Sequence, residues 1–248
     1  MIKLQDIVVA YDDSKIVLDH VDLDIYDGET LVILGASGSG KSTALRLIIG
    51  LQKPTSGRIF IDGEDITDYD EERMDRVRRY MGMVFQYSAL FDSMTVGENV
   101  AFGLRQHREL SEEEIREIVA AKLHDVGLDG TQDMMPNELS GGMKKRVSLA
   151  RAIALDPKII LYDEPTAGLD PVRSTDISRL IVATQKKLHP ISIVVTHDMN
   201  SAFAVADRMT FLENGKFQMT GTAEEFRTTA NESIRRFITG GWEGGDEA

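Results

Sequence analysis

Cysteine is absent from this sequence, and so are long apolar runs. The absence of cysteine excludes disulfide bonds and thiolate metal sites, and it fits a reducing cytosol. No run approaches the roughly 18 apolar residues that a membrane-spanning helix needs. Residues 1–6 also lack the apolar core of a signal peptide. We therefore expect a soluble globular protein.

Positive charge is scarce as well. The chain has 28 Lys and Arg against 41 Asp and Glu, which gives a net charge of −13 over 248 residues. Such a surface repels nucleic acid and anionic lipid headgroups unless a local basic patch exists. The densest basic stretches, residues 73–79 and 144–146, are short, and we expect each to line a helix face. The composition therefore predicts a protein with no nucleic-acid partner.

The order of apolar segments predicts an α/β fold with a mostly parallel core sheet. Residues 30–34, 159–162 and 191–195 have the composition of buried parallel strands, whereas residues 21–25 alternate as in a half-buried strand. Asn214-Gly215 indicates a hairpin. Helices are predicted over 43–51, over 111–126 with a capping box from Ser111 to Glu114, and over 141–154. Residues 223–238 are expected to form one or two more helices. Together these patterns predict an antiparallel β region at the front and helices inserted into the core.

The clearest chemical motif is a phosphate-binding loop: Gly35-Ala36-Ser37-Gly38-Ser39-Gly40-Lys41-Ser42. Glycines let backbone N–H groups turn toward a phosphate, and the helix that follows adds its positive N-terminal end. Lys41 supplies a charge to the β- and γ-phosphates, while Ser42 offers a hydroxyl to Mg²⁺, with Thr43 beside it. Ser39 stands where a hydrolase nucleophile elbow requires glycine, so that alternative fails. The sequence predicts a site for ATP and Mg²⁺.

A second motif lies at the end of the predicted strand over residues 159–162. Two carboxylates, Asp163 and Glu164, follow it directly. In P-loop ATPases an Asp at this place holds Mg²⁺, and a nearby acid orients the attacking water. We assign Asp163 to the metal shell and Glu164 to activation of water as general base.

The remaining motifs define a resemblance to the ATP-binding-cassette (ABC) ATPases, which covers about residues 1–239. Leu139-Ser140-Gly141-Gly142, followed by a basic helix, resembles the signature of that family. Tyr11 resembles the aromatic residue that stacks on adenine. Gln86 resembles the glutamine that senses Mg²⁺ and the transmembrane partner. Residues 167–170 resemble the loop that contacts the opposite subunit. His197 resembles the histidine that contacts the γ-phosphate.

The resemblance implies a mechanism that needs a second copy. Two cassettes would sandwich two ATP molecules, each between one P-loop and the opposite Ser140-Gly141-Gly142 segment. It also implies a permease that docks over residues 86–96, at the cytoplasmic face of a bacterial inner membrane. Met143, where the family usually has Gln, and the segment over 162–171 resemble the ATPases of maintenance-of-lipid-asymmetry (Mla) transporters. That likeness implies phospholipid movement between inner and outer membranes, together with a mammalian-cell-entry (Mce) type lipid-binding protein.

The same resemblance suggests a division of the chain. We assign residues 1–86 and 158–225 to the ATP-binding core, 87–157 to a helical signature lobe and 226–240 to a C-terminal helical extension. Residues 241–248 are Gly-rich and acidic, which predicts disorder. In the extension, Ile234, Phe237 and Ile238 form an apolar edge that could pack on its own subunit or reach across a dimer.

Three alternatives remain open at the level of sequence. The first is the ATPase of an importer for a small solute, since substrate choice lies in other chains. The second is a soluble ABC ATPase that acts on nucleic acid or ribosomes, which the single cassette and net charge of −13 disfavour. The third is a degenerate cassette that binds ATP without hydrolysis, which the presence of both Glu164 and His197 disfavours.

Overall fold

The computed structural model describes residues 1–11 and 16–240 of the chain, so the predicted disordered tail over 241–248 lies outside the described residues. The strands are β1 (Ile2–Ala10), β2 (Ile16–Ile25), β3 (Thr30–Leu34), β4 (Ser56–Ile61), β5 (Glu64–Asp65), β6 (Met81–Val84), β7 (Ile159–Asp163), β8 (Ile191–Thr196), β9 (Arg208–Glu213) and β10 (Lys216–Gly221). The helices are α1 (Lys41–Ile48), α2 (Glu71–Arg78), α3 (Val96–His107), α4 (Glu112–Asp125), α5 (Gly141–Ala152), α6 (Pro171–Leu188), α7 (Met199–Val205), α8 (Ala223–Thr228) and α9 (Glu232–Ile238). A short 3-10 helix covers Pro136–Glu138.

The strands form two sheets. The first is an antiparallel sheet with the order β2-β1-β4-β5, and the second has the order β10-β9-β3-β8-β7-β6. In the second sheet β9, β3, β8, β7 and β6 pair in parallel, and only the β9–β10 hairpin is antiparallel. The predicted α/β class, the parallel core and the antiparallel front region are therefore confirmed.

The second sheet is covered on both faces because its strands are apolar on both faces. On β3, Leu31 and Ile33 point into a core shared with α1 and the antiparallel sheet. Val32 and Leu34, which alternate with them, point into a core shared with α3 to α9. Strand alternation at a period of two places neighbouring side chains on opposite faces, so a continuous apolar run signals burial from both sides.

The helices of residues 87–157 share the second of these cores with the sheet. Leu104 of α3, Leu123 of α4 and Val147 of α5 are buried in the same cluster as Tyr162 of β7. α4 begins at the predicted capping box, in which Ser111 accepts from the backbone N–H of Glu114 while the Glu114 carboxylate accepts from that of Ser111. The helical segment therefore packs on the sheet edge at β6 through α5, and α3 and α4 pack on α5 and on each other.

The C-terminal helices pack on their own chain. Ile234 of α9 is fully buried, and the ring of Phe237 lies 5.1 Å from that of Phe211 in β9. Residues 223–238 form two helices, with the Asn231 side chain capping the second. No helix within residues 1–11 and 16–240 combines the length and apolar character that a membrane crossing requires.

Candidate active site

The motif from Gly35 to Ser42 comprises the loop that follows β3 at the carboxyl edge of the parallel sheet and the first two residues of α1. Gly35 passes so close to β9 that a Cβ there would lie 2.4 Å from the carbonyl oxygen of Leu212. Gly38 and Gly40 adopt left-handed backbone angles, with φ of 79° and 106°. Gly40 precedes α1 without a side-chain cap, so the first N–H groups of the helix stay available to an anion. The loop therefore has a backbone geometry that could accommodate a phosphate group.

Lys41 places its ammonium group inside this loop. The side chain is 6% exposed, and Nζ donates to the carbonyl oxygens of Gly35 and Ala36, both at 2.9 Å. Burial lowers the pKa of Lys41, and the nearby carboxylates of Glu164 and Asp163 oppose that shift. Nζ lies 3.9 Å from Glu164 Oε1, which joins the loop to the acidic end of β7.

Ser42 and Asp163 face each other across the sheet edge. Ser42 Oγ donates to Asp163 Oδ1 at 3.0 Å, and Asp163 is the last residue of β7. One hydroxyl, one carboxylate and substrate phosphates form the oxygen-rich shell that Mg²⁺ prefers. Within the described ranges no three His, Cys, Asp or Glu side chains converge as a metal site. The residues present therefore fit Mg²⁺ held jointly with a nucleotide, and they do not form a metal cage of their own.

Glu164 is fixed in an unusual backbone conformation. Its φ is 46°, in the left-handed region that non-glycine residues seldom adopt, and its N–H donates to the carbonyl of Val195 on β8. The side chain is 9% exposed. Its Oε1 lies 2.9 Å from His197 Nδ1, and its Oε2 accepts from the backbone N–H of His197 at 3.4 Å. Two neighbouring strand ends thus hold one carboxylate in place.

These groups line a single cavity of about 290 Å³. Its walls bring together most residues that the sequence nominated: Tyr11, Ser37, Gly38, Gly40, Lys41, Ser42, Thr43, Gln86, Glu164 and His197. Tyr11 is 55% exposed at the rim, and its hydroxyl donates to Gln52 Oε1 at 3.1 Å. An exposed ring beside a phosphate cradle is suitable for stacking on a planar base. Gln86, two residues after the end of β6, also lines the cavity.

The signature segment does not reach this cavity. Ser140 caps α5, with its Oγ accepting from the backbone N–H of Met143 at 3.3 Å. Ser140 and Gly141 are exposed, and Gly141 lies near the side chain of Leu169. Within one chain the structure keeps the predicted nucleotide-binding residues Ser140, Gly141 and Gly142 away from the P-loop.

Two residues of the site were not anticipated from the sequence. Val17 of β2 lines the cavity, and its side chain and carbonyl would both contact a Cβ placed at Gly40. Lys145 of α5 is 5% exposed, and its Nζ donates to the carbonyl oxygens of Gln86 and Glu164. Burial lowers the pKa of Lys145, and the charges of Asp163 and Glu164 oppose the shift. A lysine inside a basic stretch gives no sequence signal of burial, because lysine side chains are usually exposed.

A P-loop after a central parallel strand, an acidic pair at the end of the strand two places along the sheet and a histidine after the strand between them define a nucleotide-hydrolysing protein of the P-loop class. Residues 18–167 match the family described as ABC transporter, and the chain belongs to that family as an ATP-hydrolysing cassette.

Relatives and solved structures agree with this assignment. The chain is 43% identical over 96% of its length to a protein of Mycobacterium leprae named probable ribonucleotide transport ATP-binding protein, of which it spans 69%. It is 40% identical over 92% of its length to a Haemophilus influenzae protein named intermembrane phospholipid transport system ATP-binding protein, of which it spans 86%. A solved dimeric ATP-binding cassette in a post-hydrolysis state with ADP and Pi is 36% identical, with a TM-score of 0.82 over 90% of this chain and 98% of that chain.

Proposed function

We propose that this chain is the ATPase that powers phospholipid transport between the inner and outer membranes of a bacterium, as part of an Mla-type transporter. The observation that carries ATP hydrolysis is the buried Glu164 carboxylate, held by His197 at 2.9 Å beside the Lys41 ammonium at 3.9 Å. Glu164 would accept the proton of a water molecule that attacks the γ-phosphate. Ser42, Asp163 and Gln86 would hold Mg²⁺, which stabilises charge on the phosphates.

Two copies of the chain would form the complete site. Ser140 and Gly141 are exposed at the N-terminus of α5, where backbone N–H groups can receive an anion. In a head-to-tail pair this segment would close on the ATP held by the P-loop of the other copy. The dimeric state of the similar solved cassette supports the arrangement. We expect turnover per molecule to fall on dilution, because separated copies lack half of the site.

A permease would dock on the segment that follows Gln86. Tyr87 is 87% exposed and Phe91 is 42% exposed. The ring of Phe91 packs 4.8 Å from that of Phe102 on α3. Exposed aromatic side chains close together are typical of protein interfaces. This docking would hold the chain at the cytoplasmic face of the inner membrane.

The assignment of phospholipid as the transported molecule rests on the similarity to the Haemophilus influenzae protein and on the signature residues around Met143. The mycobacterial relative, named for ribonucleotide transport, keeps a small-solute transporter as the second candidate. Co-purification of the intact complex from native membranes separates the two. We expect a permease, an Mce-type protein and bound phospholipid, together with ATP hydrolysis that phospholipid vesicles stimulate. A solute-binding protein with stimulation by ribonucleotides alone would refute the lipid assignment.

A further inference from the structure

The ammonium group of Lys145 is a buried charge that the proposed hydrolysis does not use. The side chain is 5% exposed, yet no carboxylate lies within ion-pair distance of it among the residues described. Its hydrogen-bond acceptors are two main-chain carbonyls, those of Gln86 and Glu164. A buried ammonium without a direct ion pair is costly, and a methionine of similar length would avoid that cost. This energetic cost indicates that the positive charge has a role at this position.

The two acceptors belong to separate parts of the molecule. Gln86 begins the segment on which a permease is proposed to dock, and Glu164 is the proposed general base. Lys145 itself lies on α5, about one helical turn after Ser140, Gly141 and Gly142. One side chain therefore connects three elements: the signature helix, the segment after β6 and the end of β7.

A second basic side chain of α5 holds the same segment. Arg151 donates to the carbonyl oxygens of Ser88 at 2.9 Å and of Ala89 at 2.6 Å. Ser88 and Ala89 both adopt left-handed backbone angles, with φ of 63° and 46°. The bonds to α5 satisfy carbonyl groups in this strained turn. Arg151 thus joins the segment after Gln86 to α5, and Lys145 joins α5 to the main chain of Glu164 through a longer contact of 3.4 Å.

We propose that Lys145 is a positioning residue that links the two ATP sites of a dimer. When Ser140, Gly141 and Gly142 of α5 close on the nucleotide of the other copy, Lys145 draws the main chain of Glu164 in its own site into the geometry for hydrolysis. This inference rests on the proposed ATP sandwich. It adds a physical route between the sites, through main-chain carbonyls, that runs from the signature helix to the general base within one chain.

The test compares three full-length variants in steady-state ATPase assays with Mg²⁺. Lys145→Met removes the charge and the donors at similar length, whereas Lys145→Arg keeps both. Lys144→Met is the matched control, because it removes one positive charge from the neighbouring, more exposed position of the same helix. Nucleotide affinity is measured separately by equilibrium binding for wild type and for each of the three variants. Thermal unfolding reports whether each variant folds.

We expect Lys145→Met to lower kcat about 10- to 100-fold, since small misplacements of a catalytic group have effects of this size. Its nucleotide affinity should stay within about twofold of wild type, and the cooperativity of turnover with ATP concentration should fall toward a Hill coefficient of about 1. Lys145→Arg should recover most of kcat, because a guanidinium also donates to two carbonyls. Lys144→Met should match wild type in every measurement.

Two results would overturn the inference while leaving the ATPase assignment intact. One is equal kcat and equal cooperativity for Lys145→Met and Lys144→Met. The other is a loss of nucleotide affinity with unchanged kcat, which would place Lys145 in binding. A complete transporter complex, containing the wild-type chain and its permease, that hydrolyses no ATP would refute the proposed function together with this inference.

Discussion

Replacing Glu164 by Gln separates the charge of the proposed general base from its shape. The side chain is 9% exposed, and its position is set by main-chain bonds to β8 and by His197. A glutamine occupies the same volume and its amide oxygen can still accept from the His197 backbone N–H. It cannot take a proton from water near neutral pH. The fold and the phosphate loop should therefore remain intact while water activation is lost.

The expected loss in kcat is about 10²- to 10⁴-fold, which is the range for removal of a general base. This corresponds to about 3 to 5 kcal/mol in the activation free energy. ATP affinity should be equal or higher, because Glu164 Oε1 lies 3.9 Å from Lys41 Nζ and its negative charge competes with phosphate for that ammonium. Phosphate release at saturating ATP measures the first quantity, and equilibrium binding measures the second.

His197→Ala provides the companion measurement. Because its Nδ1 lies 2.9 Å from Glu164 Oε1, the two substitutions should be strongly non-additive, and the double variant should be little slower than Glu164→Gln alone. Turnover of Glu164→Gln within about threefold of wild type, with ATP binding intact, would contradict assignment of this carboxylate as the base.

Three further predictions follow from contacts in and around the site. Tyr11→Ala should weaken ATP binding about fivefold through loss of base stacking, while Tyr11→Phe should bind like wild type. Equal ATP affinity for wild type and both variants would show that the Tyr11 ring does not contact the nucleotide. Gly35→Ala should lower the free energy of unfolding by about 2 kcal/mol or more, because the new Cβ would lie 2.4 Å from the Leu212 carbonyl. Gly38→Ala, whose Cβ would meet no atom within 4 Å, should cost about 1 kcal/mol from its positive φ alone, and chemical denaturation that ranks the two in reverse order would refute the contact argument. Asn99 is fully buried and bonds the main chain of residues 91–95, so Asn99→Ala should cost about 2 to 4 kcal/mol; an unchanged melting temperature would show that these bonds contribute little.

Much of the fold could be predicted from local patterns. The buried strand over 30–34 agrees residue for residue with β3, and the hairpin at Asn214-Gly215 joins β9 to β10. Several helices were not predicted, although their start signals are present in the sequence. Asp170 with Pro171 begins α6, and Thr95 with Glu98 forms a capping box for α3. Most of their stability comes from packing against other helices farther along the chain, such as α3 against α5 and α6 against α7, and local patterns do not display that packing.

The structure brings together the nominated residues whose motifs lie on one loop or at one sheet edge, whereas residues that reach the cavity through packing were not nominated. The P-loop, Asp163, Glu164 and His197 come together because parallel strands end at one edge of the sheet. Val17 and Lys145 were missed because each enters the site from an element that is distant in sequence. The roles assigned to these site residues stay predictions until the variants are measured.

The sequence by itself indicated the chemistry of this protein. The eight consecutive residues from Gly35 to Ser42 have the pattern of a phosphate cradle, in which main-chain N–H groups and one lysine of the same short segment would face the phosphate. The tertiary structure alone decided which groups share that cradle and which do not. It placed Glu164 and His197 beside the loop, buried Lys145 behind them and kept Ser140 and Gly141 exposed elsewhere. Those distances depend on strand order and on the packing of α5 against the sheet, and both are set by burial of apolar surface from segments that lie far apart in the sequence.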